Sequence, residues 1–187
     1  MVALLENEER FIMLLPTDRT VFQNSWVVPD LEAAMRHWVN VCNIGPFFVL
    51  DHKQDIVDVT YRGKPSTLSM RLALAQAGPV QIELVEPLGD GPSCYRDTVR
   101  AGQSGFHHVC MWTRDIDADA IHYESRGFAI ANMGRVQGSI RFAYFDTSPV
   151  LGCMVEVMEY TPEVAAIFKV IADAARGWDR HDPIRYV

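Results

Sequence analysis

The feature that most constrains this chain is that its second half replays the order of its first. Val21 to Val28 is a short β-rich run stopped by Pro29-Asp30, and the Asp30 side chain suits the cap of a following helix. Leu31, Ala34, Met35, Trp38, Val39 and Cys42 then recur at i, i+3, i+4, i+7, i+8 and i+11, one apolar stripe ending near Gly45-Pro46. Strand-like segments come next at Phe47 to Leu50, Ile56 to Tyr61, Leu68 to Leu74 and Val80 to Val85, separated by Gly and Pro punctuation. From Phe106 the series returns: a strand to Thr113, Asp115 as a cap, a helix to about Arg126, and segments beginning at Phe128, Ser139 and Leu151. Two details align the copies. Gln23 lies seven residues before Asp30 and His108 seven before Asp115. Ile82-Glu83-Leu84-Val85-Glu86 and Val155-Glu156-Val157-Met158-Glu159 share the order apolar, Glu, apolar, apolar, Glu, each at the close of its half. The pattern predicts an α+β fold in which two β-α-β-β-β modules pair around one cleft, give or take one strand in the first.

This organisation divides the 187 residues into an extension (1–19), a first module (20–88), a linker (89–105), a second module (106–160) and a C-terminal helix with a tail (161–187). The linker is rich in Gly, Pro and Ser, and its Cys94-to-Val99 stretch invites a cap from Ser93, which suggests a cover over a pocket. In the C-terminal segment, Val164, Ile167, Phe168, Ile171, Ala174 and Ala175 form a stripe suited to packing on the sheet or on a second subunit. No chemistry is assigned to the tail. The formal charge of −7 argues against a nucleic-acid partner, since a phosphate-backbone binder needs a basic excess. Met1 to Leu5 runs straight into charged residues, so no secretory leader is expected, and no apolar run reaches membrane-spanning length. Cys42, Cys94, Cys110 and Cys153 are spread singly, which predicts reduced, mostly buried thiols and a cytoplasmic protein.

Glu83 and Glu156 carry the chemical argument. A carboxylate inside a buried strand needs a partner or a metal to offset its desolvation. Both occupy the same place in the duplicated unit, as do Gln23 and His108 on the first strand of each half. Pseudo-twofold packing of the halves would bring these four side chains towards one centre. An amide oxygen, an imidazole and two carboxylates suit an octahedral divalent ion with positions left for water or substrate, and two carboxylates neutralise a dication. Strict alternation sends His107 to the face opposite His108, and Glu86 and Glu159 opposite Glu83 and Glu156, unless a bulge exchanges them.

The paired modules, the two seven-residue spacings, Phe106-His107-His108-Val109 and the Glu83 and Glu156 strand endings resemble the vicinal oxygen chelate superfamily over roughly residues 20 to 160. That superfamily includes glyoxalase I, methylmalonyl-CoA epimerase, extradiol dioxygenases, fosfomycin resistance enzymes and metal-free bleomycin resistance proteins. Gly45-Pro46-Phe47-Phe48 and Ile82-to-Leu88 are most similar to the epimerase branch, whereas the set Gln23, Glu83, His108 and Glu156 resembles the ligands of glyoxalase I. The resemblance implies one divalent ion per site (zinc, nickel, cobalt or manganese) and a small carbonyl or thioester substrate. It implies an isomerase, epimerase or lyase that removes a proton next to a carbonyl through a metal-stabilised enediolate. Glu156 then becomes the general base and Glu83 the opposite acid or base, with the roles open to exchange. It further implies a homodimer, with the modules pairing within one chain or swapping between two.

Two alternatives stay open: a metal-free small-molecule binding protein of the same fold, and a ring-cleaving extradiol dioxygenase, which Gln23 in place of a first-module histidine disfavours. Arg62, Arg141, Tyr61 and Tyr144 are candidates for binding a substrate carboxylate, thioester or phosphate, against ordinary surface pairing. Asp51 and His52 lie near where epimerases place a second carboxylate and are candidates for assisting proton transfer.

Overall fold

Period-two burial is visible along the first strand, where Gln23, Ser25 and Val27 are buried while the residues between them are only half-buried. The structure, a computed structural model, describes residues 19–51, 56–89 and 91–187. The leader reading at the N-terminus, the extension up to residue 18 and the proton-transfer reading of His52 therefore lie outside the described residues, as does the side chain of Asp51.

Among the described residues, eleven strands form one sheet in the order β11-β2-β5-β6-β1-β7-β10-β9-β8-β3-β4. In chain order they are β1 Val21–Val27, β2 Phe47–Asp51, β3 Ile56–Tyr61, β4 Lys64–Pro65, β5 Met70–Ala77, β6 Val80–Pro87, β7 Gly105–Thr113, β8 Ile130–Val136, β9 Ile140–Phe145, β10 Met154–Glu159 and β11 Ile184–Tyr186. Strands β2-β5-β6-β1 make the first module and β7-β10-β9-β8 the second, and antiparallel pairing of β1 with β7 joins them within one chain. The fold is α+β, with two β-α-β-β-β modules around one interior face.

Each module carries its helix on the outer face. Asp30 accepts a hydrogen bond from the Ala33 amide (2.8 Å) to start α1 (Leu31–His37), and its counterpart Asp115 accepts from Ala118 (2.9 Å). Leu31 and Met35 pack with Ala73, Ala75 and Leu84 beneath α1. The apolar stripe continues past His37 as a wider π turn, Trp38–Cys42, ended by Asn43 in the left-handed region at φ 56° rather than by Gly45. In the second module the helix, α3 (Ile116–Glu124), stops short of Arg126.

Three sequence expectations need correction. Ile56–Tyr61 does not extend the first module: β3 crosses to the second, pairing antiparallel with β8. Both sides of β2 are taken, by β5 and β11, whereas β8 has β9 on one side and its other side open to β3. The third segment of the second half begins at Met154 rather than Leu151, which belongs to a short helix, α4 (Ser148–Leu151), closed by Gly152 at φ 72°. Ser93 stands at the start of α2 (Cys94–Thr98), but its side chain makes no capping hydrogen bond.

The interior face rolls around a core that includes Val27, Leu72, Leu74, Val85, Tyr95, Phe142, Tyr144 and Met154. The C-terminal helix α5 (Pro162–Ala175) contributes Ile171 to that core and packs on β5. Cys94, Cys110 and Cys153 are buried, whereas Cys42 is exposed, against the expectation for a residue on the apolar stripe. No described helix is long and apolar enough to cross a membrane.

Candidate metal centre

Strand register assembles the site. Across the antiparallel β1–β7 joint, Gln23 faces Cys110 and Ser25 faces His108. On the flanking parallel pairs, Ser25 neighbours Glu83 and Cys110 neighbours Glu156. Side chains two apart on a strand share a face, so Gln23, Ser25, Glu83, His108, Cys110 and Glu156 all occupy the interior face about the joint. His108 Nε2 lies 3.0 Å from Glu156 Oε2 and 3.2 Å from Glu83 Oε2. One potential ligand atom from each of Glu83, His108 and Glu156 falls within 4.8 Å of the others. Gln23 sits on the same face, its Nε2 donating to Gln81 Oε1 at 2.7 Å, and its own Oε1 is left over.

The donor set fits a cation. Gln23 Oε1, Ser25 Oγ, Glu83 Oε2, His108 Nε2 and Glu156 Oε2 are all buried without a regular hydrogen bond, the imidazole and the two carboxylates meeting one another only as an ion pair. An unsatisfied buried polar group costs about 1–3 kcal/mol, and more when charged, so five at one place call for a common partner. A divalent ion ligated by Gln23, Glu83, His108 and Glu156 would satisfy four of them and neutralise both carboxylates.

The electrostatics follow from burial and these carboxylates. For His108 burial opposes the charged form, but Glu156 and Glu83 outweigh it and raise the imidazole to about 9. Its neighbour goes the other way: burial, reinforced by the positive charge of His108, depresses His107 to about 3. Burial pushes the Cys110 thiol well up, and adjacent Glu156 pushes it further. The Tyr144 hydroxyl is raised for the same two reasons.

His107 departs from the alternation rule. The β1–β7 register slips between Ser25–His108 and Trp26–Phe106, leaving His107 as an extra residue. The bulge turns it to the same side as His108, with the two Nδ1 atoms 2.8 Å apart. Glu86 instead bonds Arg71 at 3.1 Å, and Arg71 also reaches Glu32 on the outer helix; Glu159 is half-buried.

The remaining candidates divide. Arg62 pairs with Asp97 and Asp146, Tyr61 donates to Asp97, and Arg141 pairs with Asp117, so these three are committed to protein partners. Tyr144 is a buried neighbour of the site, edge-on to His108 at 5.0 Å between ring centres and 3.2 Å from the Tyr95 hydroxyl. Sequence reasoning names neither Ser25 nor Gln81, reads Cys110 only as a buried thiol, and sends His107 to the opposite face. The first three stand at positions i+2 or i−2 from the named ligands, a signal available once the strands are placed; the bulge has no such local signal.

The linker supplies part of this surround. Cys94 donates its amide to Asn132 Oδ1 at 2.6 Å, and its carbonyl oxygen lies 3.1 Å from His107 Nε2. Instead of lying over the interior face as a lid, α2 inserts Cys94 and Tyr95 into the buried core.

Paired β-α-β-β-β modules with acidic and imidazole side chains at their joint define a class of protein, and sequence comparison gives the family. A profile described as the Glyoxalase/Bleomycin resistance protein/Dioxygenase superfamily matches residues 22–144, well over half of the chain. The protein belongs to that superfamily. No curated protein matches it. Among solved structures, a methylmalonyl-CoA epimerase in complex with methylmalonyl-CoA and NH4+ is similar at TM-score 0.55 and 15% identity, over 77% of this chain and 96% of that one. A hypothetical protein from Bacillus halodurans C-125 is similar at TM-score 0.53 and 16% identity, over 76% of this chain and 95% of that one. The methylmalonyl-CoA epimerase of Mycobacterium tuberculosis matches at TM-score 0.50 and 18% identity, over 78% of this chain and 90% of that one. At these identities the likeness shows the fold alone.

Proposed function

We propose that the protein is a metal-dependent isomerase, epimerase or lyase that removes a proton next to the carbonyl of a small ketone, aldehyde adduct or thioester. The observation that carries this reading is the convergence of buried, unpartnered ligand atoms from both modules on one interior face. Gln23, Glu83, His108 and Glu156 would hold the ion. When bound, it supplies Lewis acidity that polarises the carbonyl and stabilises negative charge as the proton leaves.

The chain's own groups do the rest. Glu83 and Glu156 come from opposite modules and reach His108 Nε2 from two directions. Two carboxylates so placed can serve opposite sides of one carbon, which isomerisation and epimerisation both require. Glu156 is assigned as the base and Glu83 as the opposing acid or base. Burial of the surrounding Tyr95, Tyr144 and Met154 excludes bulk water, which protects a carbanionic species from adventitious protonation. The likeness in fold to methylmalonyl-CoA epimerases supports a thioester, and the Gln23, Glu83, His108, Glu156 set supports a glyoxalase-type adduct.

The test is metal analysis of purified protein, then incubation in deuterated water with a panel of acyl thioesters and glutathione hemithioacetals. About one divalent ion per chain and exchange of an α-proton for deuterium are expected. Tight binding of small molecules by a metal-free protein without exchange would replace this reading with a binding module, and dioxygen uptake with catechols would replace it with ring cleavage.

A further inference from the structure

We propose that His107 is a positioning residue: it accepts a hydrogen bond from His108 Nδ1 and thereby holds His108 Nε2 towards Glu83 and Glu156, where a divalent ion would bind. The proposal rests on the metal site put forward above, but the geometry that carries it is independent of any reaction. His107 Nε2 lies 3.1 Å from the Cys94 carbonyl oxygen, and a carbonyl only accepts, so that nitrogen carries the proton. In the neutral ring the other nitrogen, Nδ1, is then an acceptor. It lies 2.8 Å from His108 Nδ1, which must therefore donate. The chain from the Cys94 carbonyl through His107 to His108 fixes a proton on His107 Nε2 and another on His108 Nδ1, so Nε2 is the His108 nitrogen left to face Glu83 and Glu156 and to ligate an ion that displaces its proton. Both rings are fully buried, so water is a poor substitute for either partner.

Metal-bound histidines characteristically donate their second ring nitrogen to a carboxylate or carbonyl, and loss of such a partner costs about 10–100-fold in metal affinity. Here the acceptor is another imidazole, delivered by a bulge and oriented by the linker helix. The first module shows that the position tolerates an aromatic ring without this function. Phe22 is the extra residue of the matching bulge, between the Val21–Met111 and Gln23–Cys110 pairs, and stacks on Trp112.

The experiment has two arms. In the first, zinc affinity is measured by competition with a chromophoric chelator for the wild type, His107→Phe and His107→Asn. The phenylalanine variant should bind zinc about 10–100-fold more weakly. The asparagine variant, whose Oδ1 can replace the accepting nitrogen, should recover most of that loss. Equal affinity of all three proteins would overturn the proposal. In the second arm, nitrogen-15 spectra of the wild type alone, with and without zinc, should show a proton on His108 Nδ1 and a coupling across the hydrogen bond to His107 Nδ1. This arm depends on no variant folding. A proton on His107 Nδ1 would overturn the proposal. A wild type that binds no zinc yet shows the coupling would sink the metal reading while leaving the hydrogen-bonded pair in place.

Discussion

The two modules solve the same orientation problem by different means. Each places a ligand-type side chain on its first strand, Gln23 or His108, and a glutamate on its last, Glu83 or Glu156. In the first module the cross-strand neighbour of Gln23 is Gln81, which binds its amide nitrogen and leaves Oε1 free. In the second the equivalent neighbour of His108 is Met154, which offers no comparable hydrogen bond. There the bulged residue takes over: His107 bonds His108, whereas Phe22, its counterpart, packs against Trp112 and Phe168. Gln23 and His108 each have a polar side-chain partner, supplied from a different neighbouring position.

The comparison is broken most severely by removing one of its shared features. Glu156→Gln keeps the volume but not the charge, and turnover in the proposed reaction should fall about 10²–10⁴-fold with the fold retained by circular dichroism. Undiminished turnover would remove Glu156 from the mechanism.

The next test exploits the fact that, of the two matching first-strand side chains Gln23 and His108, only His108 titrates. In metal-stripped protein, His108 is raised from 6.5 to about 9, so the stability it contributes is complete below 6.5 and is lost as pH rises through 9. His107 is lowered to about 3, so the folded state also loses stability as pH falls from 6.5 towards 3. Urea midpoints of the stripped protein should therefore peak near pH 6.5, and His108→Gln, which copies the first module, should flatten the alkaline limb. A steady rise from pH 6.5 to 10 would contradict the two-carboxylate environment.

Gln81→Met, which copies Met154, sharpens the contrast at smaller cost. It leaves the buried Gln23 amide without its acceptor, for an expected loss of about 1–3 kcal/mol by denaturant unfolding and weaker divalent-ion binding. Unchanged stability and affinity would show that Gln23 needs no orienting partner. Least is expected from Arg62→Met. Arg62 ties β3 to Asp97 of the linker and Asp146 of the second module, but the arginine is 38% exposed, so below about 1 kcal/mol should be lost.

Much of this molecule was readable from residue order. Caps at Asp30 and Asp115, the outer helices, the duplicated strands and the shared face of Gln23, Glu83, His108 and Glu156 all depend on local spacing, because helix and strand periodicities are properties of a short segment. Matching one half against the other then identified equivalent side chains without any contact being known. What that reading missed has a different cause in each case. β3 went to the wrong module because its pattern says that it is a strand, not which edge is free to receive it. The composition of the linker suggests a cover because nothing in it shows that Cys94 and Tyr95 are buried in the core.

His107 is the sharpest example. By itself, the sequence determined that an imidazole and an amide occupy matching places on two first strands, and that two buried glutamates accompany them. Only the tertiary structure decided that a second imidazole stands behind the first. A bulge is set by register between β1 and β7, strands far apart along the chain, and one residue of slip reverses the face on which a side chain emerges.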